Sequence, residues 1–121
     1  MKEYADGQEK EKNQIVKNKH GVTILGTEYR VGDYLAVRVD EALGQPVFGK
    51  VKSMECRGDS YQFTCCIADT VFTSHYHAYE VMYLSDEQTV VKHSELPYHL
   101  PASLVQTENG HIFLCIRHMI L

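Results

Sequence analysis

From Gly21 onward, no run of ten residues carries apolar side chains at helical spacing. What recurs is a short alternation of apolar and polar residues, broken by turn-forming residues every ~8–12 positions, which is the pattern of many short strands. Leu35, Val37 and Val39 alternate with Tyr34, Ala36 and Arg38. Val47–Met54 reads as a second strand, with Gly49 inside it marking a bulge or a close approach of backbone. Tyr61, Phe63, Cys65 and Ile67 share the face of a third, and 68–70 interrupt it before a short Val71-Phe72. Tyr79–Leu84 and Thr89–Lys92 read as two strands separated by a Ser85-Asp86-Glu87-Gln88 turn. Pro97 and Pro101 forbid a long helix between 94 and 108. Asn109-Gly110 is a turn signal, and His111–Ile116 closes the chain as a strand.

With 121 residues this is one domain. The expectation is all-β: a small SH3/Tudor-like barrel of about six short strands over residues 21–121, since an open sheet leaves edges unpaired. Its core is expected at Leu35, Val37, Val39, Val51, Phe63, Ile67, Val81, Ile112, Leu114 and Ile116. Residues 1–20 carry five lysines against four acids and only Ile15-Val16 as an aliphatic pair. They read as a flexible, disordered charged tail that cannot bury enough apolar surface to order itself.

The chain carries twelve Lys/Arg against sixteen Asp/Glu, and residues 21–121 keep seven basic against twelve acidic. That balance disfavours a binder of nucleic-acid backbone. No apolar run is long enough to span a membrane, and the first residues lack the apolar centre of an export signal. The expected location is therefore intracellular, nucleus or cytoplasm, with Cys56, Cys65, Cys66 and Cys115 as buried thiols. Adjacent Cys65 and Cys66 point to opposite faces of a strand.

Tyr29-Arg30-Val31-Gly32-Asp33-Tyr34-Leu35-Ala36-Val37, a variable loop and Pro46-Val47-Phe48-Gly49-Lys50-Val51-Lys52-Ser53-Met54 together resemble the opening strands of chromatin reader modules of the bromo-adjacent homology and Tudor-like type. The segment from Phe72 to Val81 and the terminal apolar strand also resemble the closing β region of uncharacterised proteins encoded by mobile-element-derived genes. The resemblance implies a non-catalytic barrel that binds protein, in a chromatin context.

No nucleophile elbow, phosphate-binding loop or dinucleotide fingerprint occurs. His75 and His77 fall on one face if residues 75–77 are a strand, so both imidazoles could meet one metal, as in cupin-like domains. Spacing places no third ligand, and no metal or cofactor is expected. Glu80 falls on the opposite face from His77. Eight Tyr and four Phe without Trp direct attention to aromatic anchors. The expected ligand-binding rim is Tyr34, Phe48, Tyr61 and Tyr76, three of them on strand faces opposite or adjacent to the aliphatic core positions and so least needed for the core, with Asp69 or Glu80 as the nearby acid. The expected partner is a basic, histone-like peptide. The alternatives are a metal-binding cupin-like domain using His75/His77, and a single-stranded nucleic-acid barrel drawing on Lys50, Lys52 and Arg57.

Overall fold

Alternation dominates the chain from Gly21 onward, and the strands it builds are longer than their turn-like interruptions suggest. The computed structural model describes residues 15–17, 21–58 and 60–116. The chain divides at Arg30/Val31 into two compact units. In the first, β1 (Ile15–Lys17), β2 (Gly21–Ile24) and β3 (Thr27–Arg30) form an antiparallel sheet in that order. Ile15–Lys17, read above as part of the tail, is therefore a strand paired with β2; the rest of residues 1–20 lies outside the described residues. Leu25 and Gly26 both have positive φ, 51° and 85°, which makes the β2–β3 connection a two-residue turn whose twist suits a tight hairpin.

The second unit is a six-stranded antiparallel sheet. It contains β4 (Tyr34–Asp40), β5 (Gln45–Arg57), β6 (Ser60–Thr73), β7 (Ala78–Lys92), β8 (Ser103–Gln106) and β9 (Ile112–Cys115), in the order β4-β5-β6-β7-β9-β8. The Ser85–Gln88 turn expected from sequence is not there. β7 runs through it as a bulge, because between Cys66↔Gln88 and Ala68↔Leu84 three β7 residues face one residue of β6. The mismatch is stitched by side chains: the Ser85 hydroxyl donates to the Ile67 carbonyl at 3.2 Å, and the Cys66 thiol donates to the Ser85 carbonyl at 2.8 Å. Residues 68–70 likewise stay within β6, where a second bulge leaves Met82 without a Cα partner. The strand β8 had no signal beyond four residues of Ser-Leu-Val-Gln. The Asn109-Gly110 turn that follows it forms as expected, with Thr107 and His111 joined by backbone and hydroxyl hydrogen bonds.

Both faces of this sheet are buried along β4 and the middle of β5 and β6. On one face Tyr34, Ala36, Phe48, Ala68, Tyr79, Leu114 and Ile116 form a single core cluster, with Val81, Tyr98, Ala102 and Ile112 packed against it. On the other lie Leu35, Val37, Val51, Tyr61, Phe63, Cys65, Ile67 and Val91, also buried. Of the core expected from sequence, Val39 is the miss. A bulge between Ala36 and Arg38 carries it to the Phe48 side, opposite Pro46, where it is 40% exposed. Val81 and Ile112 are half-buried. Of the two end strands, β4 feeds the first cluster through Tyr34 and Ala36, while Ala102, just before β8, packs against it and donates its N–H to the Tyr34 carbonyl at 2.9 Å.

Gly49 resolves to the second of its two sequence readings. It pairs in unbroken register with Leu35 and Ile67, and a Cβ there would sit 2.7 Å from the Cβ of Cys65 and 3.2 Å from Val37. Gly49→Ala should cost about 1–3 kcal/mol by overpacking, read from urea denaturation. Cys65→Ala in the same chain should not relieve it, because the clash is with a Cβ that alanine keeps. A neutral Gly49→Ala would mean that β5 and β6 lie further apart than this.

Candidate functional site

The four aromatics expected to gather on one rim do not gather. Tyr34 and Phe48 belong to the first core cluster and Tyr61 is buried on the opposite face against Phe63, ring centroids 6.1 Å apart. Tyr34 and Phe48 lie on the face opposite Leu35, and that face is interior as well; Tyr61 lies on the same face as Phe63 and Ile67, among the residues expected as core. Burial raises the pKa of the Tyr34, Tyr61 and Tyr79 hydroxyls. Lys50 lies over the Tyr34 ring, 5.9 Å from its centroid. Only Tyr76 remains available, 63% exposed.

Tyr76 sits in the turn 74–77 that joins β6 to β7, not in a strand. Tyr76 and His77 donate their backbone N–H groups to the carbonyls of Thr73 and Ser74, at 3.2 and 3.3 Å, and His77 takes a positive φ of 51°. His75 and His77 therefore do not share a strand face, which removes the geometric basis of the paired-ligand reading. Among the described residues no group of three or more His, Cys, Asp or Glu side chains is placed to hold a metal ion.

The turn projects over the outer side of the sheet end. There the register sets a row across four strands: Val71 of β6 opposite Glu80 of β7, Glu80 opposite Phe113 of β9, and Phe113 opposite Val105 of β8. Cross-strand partners of this kind have side chains in contact range. Val71 is 52% and Val105 61% exposed, while Phe113 and Glu80 are half-buried. The Tyr76 ring meets Phe113 edge-on, centroids 5.4 Å apart, and His75 meets Tyr76 at 4.8 Å. His111, just before β9, sets its Nδ1 2.6 Å from Glu80 Oε2. Further along β7, Tyr83 lies opposite Asp69; its hydrogen bond to that carboxylate, with the carboxylate's charge, raises the Tyr83 pKa.

The chain has no matching family model, and no curated protein or solved structure matches it either. The site is accordingly read from its own chemistry.

The expectation that Glu80 falls on the face opposite His77 has no meaning here, because His77 lies in the turn; within β7 Glu80 alternates with Tyr79 and Val81. Its partners were not foreseen. His111 lies 31 residues away and Phe113 reaches it only through β9 pairing. The alternation Val71–Thr73 and the exposed Val105 were the available signals, both too short to assign a face. The thiols split by environment. Burial, with Cys66 adjacent, pushes the Cys65 pKa up to about 12, which leaves it a protonated apolar side chain. Cys66 and Cys115 are half-buried, and Cys56 is exposed, against the expectation that all four are buried. Cys56 falls near the end of β5, where the sheet no longer packs on both faces. Elsewhere His93 and His99 stack at 5.0 Å, and burial together with the neighbouring imidazole lowers the His93 pKa.

Proposed function

We propose that the six-stranded sheet closes into a small barrel of the SH3/Tudor type and that the protein is a non-catalytic interaction module, taking a basic, histone-like peptide on the outer face of β6, β7, β9 and β8. Closure is supported by the Ala102–Tyr34 hydrogen bond and by the packing of Ala102, just before β8, against the cluster that holds Tyr34 and Ala36 of β4. The observation that carries the function is the row Val71–Glu80–Phe113–Val105 with Tyr76 against it: exposed apolar and aromatic surface built around one carboxylate. Aromatic anchors supply most of the affinity in peptide recognition, and an acidic body steers a cationic partner toward them. A phosphate backbone finds little here. Lys50 lies over Tyr34, and Arg57 is paired with Glu55 at 2.6 Å. Recognition of histone-like tails would place the protein in chromatin.

An array of basic and acidic fifteen-residue peptides, read by fluorescence anisotropy, tests the proposal. Basic members should bind, and Tyr76→Ala should weaken them at least ~10-fold, the effect of removing an anchor worth about 1.4 kcal/mol or more. Because Tyr76 is exposed in a turn, its melting temperature should stay at the wild-type value. Binding that survives Tyr76→Ala, preference for acidic peptides, or binding only of single-stranded nucleic acid with a steep salt slope would overturn it.

A further inference from the structure

We infer that the side chain this face selects is an unmodified arginine. The inference rests on the reading of the face as a basic-peptide site and names its ligand group. Glu80 is held at one oxygen only: His111 Nδ1 lies 2.6 Å from Oε2, and no hydrogen bond or ion pair engages Oε1 among the described residues. The carboxylate is therefore oriented by His111 while one oxygen remains open to a donor. Beside it, Phe113 and Tyr76 form a ridge of two rings inclined at 62°.

Three cations compete for such a place. A trimethylated lysine is best served by an enclosure of several ring faces; here two rings and an exposed His75 leave the space open, and a quaternary ammonium has no N–H to give Oε1. An unmodified lysine can reach the carboxylate, but its compact ammonium is strongly hydrated and gains little from the rings. A guanidinium is planar and weakly hydrated. It can lie on the Phe113–Tyr76 ridge by its face and donate to Oε1 by its edge at the same time. Val71 and Val105, at the two ends of the row, offer apolar surface to the aliphatic stem. His111 acts as a positioning residue, fixing which oxygen is presented.

The test uses the full chain and one basic fifteen-residue peptide carrying a single variable central position: arginine, citrulline, lysine or trimethyllysine. Arginine should bind about tenfold more tightly than lysine, the order expected of one additional charge-assisted, stacked contact. Citrulline, of the same shape but uncharged, should lose that gain. Glu80→Gln should abolish the arginine preference while the peptide's remaining basic residues keep residual binding through Tyr76. His111→Ala should reduce the preference without moving the affinity of the lysine peptide. Lysine or trimethyllysine binding as well as arginine, or a preference untouched by Glu80→Gln, would overturn the arginine assignment and leave the basic-peptide reading standing. No binding by any of the four peptides would overturn both.

Discussion

Phe48→Ala should cost about 3–5 kcal/mol, the range for deleting a fully buried aromatic ring. Phe48 has no exposed surface and sits in the cluster fed by β4, β5, β6, β7 and β9. Its ring packs on Tyr79, centroids 5.2 Å apart, and Tyr79 packs in turn on Phe72 at 5.0 Å. Deletion removes the transfer free energy of the ring and leaves a cavity that β-strands, tied by their ladders, close poorly. Against a typical total stability of ~5–15 kcal/mol, that loss leaves a marginal fold. Urea denaturation should show the midpoint falling at unchanged slope, and Phe48→Leu should recover most of the difference. A loss below ~1 kcal/mol would mean that Phe48 faces solvent, as a rim anchor would.

That outcome separates what alternation could and could not say. Period-two patterning placed most of the strands and identified Leu35, Val51 and Phe63 as interior on one face, because residues two apart in a strand share a face. It could not say that the opposite face is interior too. Tyr34, Ala36, Phe48 and Ala68 are as apolar as a covered face requires, but small and aromatic residues are also what an exposed binding face would carry. Polar composition misled in the reverse direction at Ser85–Gln88, where a hydroxyl and a thiol bridge the chain to its neighbour and let the strand continue. Sequence singles out Tyr76 and Glu80 as residues but not their setting, since Tyr76 lies in a turn and Glu80 alternates with Tyr79 in β7. Phe113, Val105 and His111 join it through the β7–β9–β8 pairing, whose register depends on contacts distant in sequence. Local pattern holds no record of such pairing, and His75 and His77 show the cost of reading a turn as a strand.

Leu35→Ala should cost about 2–5 kcal/mol and Val39→Ala under about 0.5 kcal/mol, although both are aliphatic residues of one seven-residue strand separated by an even number of positions. Leu35 is fully buried opposite Gly49, on the face that also holds Ile67 and Cys65. In an uninterrupted strand Val39 would continue that face. The bulge between Ala36 and Arg38 inserts one residue into β4, and each later side chain changes sides. Val39 consequently ends beside Pro46 at the exposed end of the strand, with little packing to lose. Equal losses at both positions would show a regular β4 with Val39 in the Leu35 core. A large loss at Val39 alone would show the whole strand slipped by one residue, exchanging its two faces. The unequal pair is the result that ties the bulge to the two-sided burial of the sheet, with Tyr34 and Phe48 in the core of one face and Leu35 in that of the other.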